Sequence, residues 1–251
     1  MGWDLITEIL ISNPADVKLE EGSHKVLLVE PQPDDRTAGR TTIISGTVSQ
    51  LLWERDSDQH WQNHRKLFKT LLRVPDAKGF CGNFFEPAFH ALCIRGTMLK
   101  IYPMTLKRGR SLYTLTVPES GSNFLELELG QRRRFSFDKG KNKITSLDSE
   151  HYYQPTSKNY LSLDSFVYDP DSHQINLFQV TVAKSHDLVS KGVQDVRELG
   201  QRLEIDLRIR IIVVLFGDVD IDFKAQMGLY DNWGLQTYVV QMTEDQLYPR
   251  P

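Results

Sequence analysis

The chain has 251 residues and only two cysteines, Cys81 and Cys93. No disulfide framework can hold it, so a buried core has to, and a reducing compartment is expected. It lacks any apolar run near the roughly 18 residues of a membrane span. Its opening, MGWDLITEILISNP, sets Asp4 and Glu8 within the apolar stretch and has no basic region ahead of it, so it does not read as a secretory signal peptide. No G-x-x-x-x-G-K-[ST] occurs anywhere. Without those backbone amides and that lysine to cradle phosphates, no ATPase activity is expected. Two metal motifs fall short in the same way. His60 and His64 have helical metal spacing but lack the glutamate of H-E-x-x-H. Asp218, Asp220 and Asp222 resemble the start of a calcium loop, yet Phe223 and Leu229 stand where an EF-hand needs glycine and glutamate.

What is present is ordinary globular material. Hydrophobic residues make up 40% and charged residues 25%, enough for a sizeable core. The net charge of −3 hides an uneven spread: Arg95 to Lys143 carries eleven Lys or Arg against four Asp or Glu. The densest part, GQRRRFSFDKGKNK, holds Arg132, Arg133, Arg134, Lys139, Lys141 and Lys143 around a turn at Asp138-Lys139-Gly140. A basic hairpin on an otherwise acidic chain suits contact with phosphates; it also suits a solvated surface.

Periodicity divides the chain. KVLLV, residues 25–29, reads as a short strand, followed by helices over 41–54, 60–72 and 84–94. From Leu99 the period becomes that of strands: MLKIYPM, NFLELEL and RRFSF. Two further strands follow, joined by a turn at Asp169-Pro170-Asp171, then a helix over 188–203 with Val193, Val196, Leu199 and Leu203 at helical spacing. IRIIVVLFG is a continuous apolar strand of the type buried on both faces. LQTYVVQM and a short TEDQLY helix close the chain. Strand, helix, apolar strand implies a parallel crossover. The second half is therefore an α/β domain.

The stretch YLSLDSFVYDPDSHQINLFQVTVAKSH carries the candidate chemistry. Side chains alternate along a strand with period two. Asp164 on one strand and Gln179 and Thr181 on the next are therefore expected on one face. A carboxylate, an amide oxygen and a hydroxyl suit a hard cation such as Mg²⁺. Lys184 lies an odd number of residues from Gln179, so a regular strand turns it to the other face unless a bulge intervenes. His186 at the strand exit is a candidate base or phosphate contact.

GFCGNFFEPAFHAL, YYQPTSKNYLSLDSF, FQVTVAKSHDL and ELGQRLEIDLRIRIIVVL together resemble the carboxy-terminal part of fungal Crinkler-type proteins, which are similar to retrotransposon hot spot proteins. The resemblance implies a restriction-endonuclease-like domain of the PD-(D/E)xK superfamily over residues 79–251, a mixed sheet flanked by helices. Residues 1–78 would be a small, mostly helical remnant of a P-loop ATPase module, and the chain a truncated member. It also implies a metal site of Glu86 and Asp164, with Gln179-Val180-Thr181 standing where the (D/E)-x-K element falls. There, glutamine replaces a carboxylate and threonine the lysine. Two functions follow as expectations. One is a nucleic-acid-binding module, for DNA or RNA, that cleaves phosphodiesters with Mg²⁺ held by Glu86, Asp164 and Gln179. Thr181, Lys184 and His186 complete that site, and Arg132–Arg134 with Lys139, Lys141 and Lys143 track the phosphates. The other is a catalytically inactive nuclease-fold module in protein or nucleic-acid interaction. The family implies a secreted effector acting in host nuclei.

Overall fold

The computed structural model describes residues 27–31, 39–43, 65, 68–69, 78–110, 112–118, 123–138, 143–156, 164–182, 185–188, 190–217, 222–226, 230–232 and 234–248. They fall into two compact units: residues 1–88 with 248–251, and residues 89–247.

In the first unit, β1 (Leu27–Pro31) pairs antiparallel with β2 (Gly39–Ile43), Leu27 opposite Ile43. The start of the expected helix over 41–54 is therefore a strand. Thr41, Thr42 and Ile43 are β-branched, and their χ1 stiffness favours an extended backbone over the helix that the apolar spacing suggested. The remainder of that segment, 44–54, lies outside the described residues. Phe68 is helical and buried, and its ring meets Tyr248 at 5.7 Å. Helix α1 (Lys78–Arg95) begins in this unit and continues into the second. It ends at Gly96, whose φ of +94° suits a residue without a side chain. A Cβ there would sit 3.0 Å from the Leu129 carbonyl.

The second unit is a mixed α/β structure. Its strands are β3 (Thr97–Pro103), β4 (Thr105–Arg108), β5 (Leu112–Thr116), β6 (Leu125–Leu129), β7 (Arg133–Phe137), β8 (His151–Pro155), β9 (Ser165–Asp169), β10 (Gln174–Thr181), β11 (Ser185–Leu188), β12 (Arg208–Phe216), β13 (Asp222–Gln226) and β14 (Gln236–Met242). Eight form one sheet in the order β6-β3-β14-β12-β10-β9-β8-β7, and four form a second, β11-β13-β5-β4. The heart of the large sheet is parallel, β10 to β12 and β12 to β14, with Gln179 opposite Val213 and Val213 opposite Val239. Helix α2 (Ser190–Leu203) lies between β10 and β12 in sequence, as the apolar pattern implied. Val193, Val196 and Leu199 on α2 share one core with Ile175, Leu177, Ile211, Val213 and Leu215. Leu115, Phe223 and Ala225 of the small sheet join it. On the opposite face of the large sheet, the Phe89 ring of α1 packs edge-on to Phe178 at 5.3 Å. β10 is thus buried on both faces, and its alternation marks two cores rather than a core and a surface.

The C-terminus of α2 closes in a Schellman motif: Ile205 N–H donates to Gly200 O at 2.9 Å and Glu204 N–H to Gln201 O at 3.2 Å. Glu204 takes the left-handed position that glycine usually fills, with φ of 57°. Gly200 is favoured by close packing, since a Cβ there would lie 2.9 Å from the Ile205 backbone oxygen. At α3 (Glu244–Leu247), Thr243 and Gln246 form a capping box, Thr243 N–H donating to Gln246 Oε1 at 2.8 Å.

Three expectations need correction here. The helix over 188–203 starts at Ser190, because Leu188 is spent in β11, paired with Ala225. The basic segment is not a hairpin, because β7 pairs with β8 in parallel, Arg133 opposite His151. Parallel pairing needs a crossover of a dozen or so residues rather than a tight turn, and β8 begins at His151, well beyond the end of β7 at Phe137. Asp164 lies just before β9 rather than within it, for a reason that its side chain makes clear.

Candidate functional site

β9 pairs with β10 antiparallel, and the last pair is Ser165 opposite Phe178. One residue further, the ladder is completed by a side chain. The backbone N–H of Asp164 donates to Phe178 O at 3.1 Å. Its Oδ2 accepts the backbone N–H of Val180 at 2.6 Å and the side-chain N–H of Gln179 at 3.0 Å. The carboxylate thus takes the place of the next β9 carbonyl. Asp is a poor strand former that competes readily for backbone hydrogen bonds, and this competition ends the strand. Hydrogen bonds to a charged acceptor contribute about 1.5–3 kcal/mol each.

The pair is on one face, as the period-two count predicts. A carboxylate can only accept, so Gln179 turns its amide hydrogens to Asp164 and its oxygen elsewhere. Gln179 is 5% exposed, and its Oε1 has no hydrogen-bond partner among the described residues. Thr181 is buried on the same face. The structure therefore brings together Asp164 and Gln179 in direct contact, with Thr181 following along the strand.

The remaining candidates belong to other elements. Glu86 is on α1, half-buried, in the first unit, whereas Asp164 is in the second. Lys184 lies outside the described residues. His186 is in β11 opposite Phe223, and its side chain is likewise outside them. Among the described residues no group of three or more His, Cys, Asp or Glu is arranged to hold a metal ion.

Of the basic residues, Arg133 and Arg134 are exposed on β7, at one edge of the large sheet. Arg132 is half-buried and donates to Gly130 O at 3.3 Å; burial lowers its pKa. Lys143 is exposed on the rim of a cavity of about 330 Å³ that also takes in Asp138, Asp195 and Arg202. Lys139 and Lys141 are outside the described residues.

On the other face of β9 is a buried polar network with no counterpart in the sequence reading. The Tyr152 hydroxyl on β8 lies 2.7 Å from His90 Nδ1 on α1 and 2.6 Å from Ser165 Oγ on β9. The Cys93 thiol lies close enough to influence it. His90, Cys93, Tyr152 and Ser165 are all essentially inaccessible to solvent. Burial pushes the Tyr152 hydroxyl and the Cys93 thiol well above their ordinary pKa values. A thiol held protonated and sealed from solvent is no nucleophile, so these groups lock α1 to the sheet. No spacing motif links residues 90, 93, 152 and 165, and only the tertiary fold joins them.

No protein-family model, curated protein or solved structure matches the chain, so its own geometry has to carry the functional reading.

Proposed function

We propose that the second unit is a nucleic-acid-binding module of restriction-endonuclease-like fold whose acidic site residue has become a structural clamp. The observation that carries this reading is the double hydrogen bond from Gln179 and Val180 onto Asp164 Oδ2, at 3.0 and 2.6 Å. Magnesium is the cation implied by the Crinkler-type resemblance, and it requires oxygen lone pairs at near-octahedral geometry. The donor set does not fit it. Oδ2 is committed to two N–H donors, and Gln179 presents hydrogen rather than oxygen to the carboxylate. Thr181 in place of lysine leaves no ammonium at that position to orient water or steady a developing charge. Binding draws its support from the exposed Arg133 and Arg134 on an edge strand, within a segment rich in Lys and Arg. The effector role and nuclear site of action belong to the same reading.

The test is incubation of the purified chain with plasmid DNA and with RNA, in Mg²⁺ or EDTA, alongside gel retardation. The expected result is intact nucleic acid in both conditions, with retardation that weakens as salt rises. Arg133→Ala/Arg134→Ala should flatten the dependence of log K on log salt by roughly 2 if both contact duplex phosphates. Magnesium-dependent nicking that disappears in Asp164→Ala would restore the catalytic reading, in which the buried Gln179 Oε1, without a partner among the described residues, faces the cation. Failure to retard either nucleic acid would remove the binding claim.

A further inference from the structure

A second polar site lies at the opposite end of the parallel strands from Asp164 and Gln179. There a cavity of about 400 Å³ is lined by Arg197 from α2 and by Arg208 and Arg210 at the start of β12. Asp206 is the one carboxylate among the described residues that line it. Arg208 and Arg210 thus outnumber the carboxylates among the described lining residues. Arg208 and Arg210 are two apart on the strand and share a face. Neither forms an ion pair with a carboxylate among the described residues.

Arg210 is also held in place. Its Nη1 donates to Asn176 Oδ1 on the neighbouring strand at 3.2 Å, and its guanidinium lies 5.0 Å over the Tyr238 ring. Its Nε is enclosed and has no acceptor among the described residues. A guanidinium fixed by an amide and an aromatic face, with N–H donors unused, is pre-organised for an oxyanion. With Arg208 on the same face, the two guanidiniums suit the charge of a phosphate group better than a single carboxylate, because more N–H donors face more oxygens. The volume falls within the range of about 300–1,000 Å³ typical of small-molecule sites and is too small for a duplex. Leu207, Ile209 and Leu235 give the cavity an apolar wall against which a non-polar body can rest.

We propose that this cavity binds a phosphate-bearing anion, with Arg208 and Arg210 as the principal contacts. The proposal does not depend on the state of the Asp164–Gln179 pair. The test is calorimetric titration of the full chain with inorganic pyrophosphate at low ionic strength without divalent cations. Saturable one-site binding is expected, weakened about tenfold or more in Arg208→Gln, a loss of about 1.4 kcal/mol in its cost equivalent. Arg208 is exposed, so that variant should unfold at the wild-type temperature. Arg210→Lys keeps the charge but removes the planar fork and should also bind more weakly. Lys107→Ala, which removes an exposed charge on β4, should bind like the wild type. A short single-stranded oligonucleotide that displaces pyrophosphate would identify the source as polymer phosphate. Simultaneous binding of both would identify it as a free phosphate ester. The proposal is overturned if the wild type shows no saturable binding, or if both arginine variants bind as it does.

Discussion

The two faces of the β9–β10 pair carry polar clusters of opposite character. On the α1 face, the Tyr152 hydroxyl reaches His90 and Ser165 and is sealed from solvent. One partner comes from the adjoining strand and the other from a helix 62 residues away, so the network is a tertiary lock. On the α2 face, Asp164 and Gln179 come from adjoining strands, and their contact finishes a ladder that β9 leaves short. That pair keeps a buried amide oxygen without a partner among the described residues. A buried polar atom left over costs stability, and native proteins keep few of them. The lock ties a helix to the sheet, whereas the clamp ties two neighbouring strands at the point where one of them ends.

The largest effect should come from breaking the lock. Tyr152→Phe keeps the ring but strands Ser165 Oγ and His90 Nδ1, and unsatisfied buried groups cost about 1–3 kcal/mol each. A loss of about 2–4 kcal/mol is expected in urea unfolding, with nucleic-acid retardation unchanged in the folded protein. A loss below about 0.5 kcal/mol would show that the network is incidental, since surface changes alone produce that much.

The lock should also be sensitive to alkali. Burial raises the pKa of the Cys93 thiol from 9.0 and of the Tyr152 hydroxyl from 10.0. Tyr153 and Tyr230 are each pushed up to about 12 by burial. Above their ordinary values these groups ionise in the unfolded chain while the folded protein holds them neutral. The unfolded state then binds fewer protons, so stability falls as pH rises. The contribution is complete below about pH 8 and drains above pH 9, by up to about 1.4 kcal/mol per pH unit for each fully buried group. Urea midpoints from pH 7 to 11 measure this, and Tyr152→Phe should flatten the part of the slope above pH 10. A midpoint independent of pH over that range would mean that these groups titrate normally.

On the clamp, Asp164→Ala removes the acceptor of two N–H donors and should cost about 2 kcal/mol. Asp164→Asn keeps one oxygen and should lose less. Gln179→Glu sharpens the contrast further. It sets two carboxylates at hydrogen-bond distance, which raises the pKa of one of them and destabilises the fold at neutral pH. Magnesium should then raise the melting temperature of Gln179→Glu and leave the wild type unmoved. An equal shift in the wild type would mean that the native pair already binds the cation.

Much of this arrangement is legible in the sequence because it obeys local periods. β10, β12 and α2 announce themselves through unbroken apolar runs and helical spacing, and period two alone sets Asp164 and Gln179 on one face. Direction is not legible: nothing in a spacing says that glutamine will offer its hydrogens to the aspartate. The small sheet escapes notice for a different reason. Strands such as TLKR and SHDL have no apolar alternation, and β13 is held by β5, Phe223 opposite Leu115, across much of the chain. RRFSF is recognisable as a strand, but its parallel partner is not, because parallel pairing leaves no turn signature. The His90–Tyr152–Ser165 network is hidden because only the tertiary fold brings its members together.

The smallest effect tests the leftover oxygen itself. Gln179→Leu removes one hydrogen bond to Asp164 and, with it, the buried Oε1. Losing the bond costs about 1–2 kcal/mol, and relieving an unsatisfied acceptor returns an amount of similar size. Leucine fills much the same volume in a buried strand, so little packing is lost. The net change should be within about 1 kcal/mol of zero by urea unfolding, well below that of Asp164→Ala at the other end of the same hydrogen bond. The asymmetry is the point, because a clamp with both ends satisfied would lose comparable stability from either side. If Gln179→Leu proves as damaging as Asp164→Ala, then Oε1 has a partner of its own.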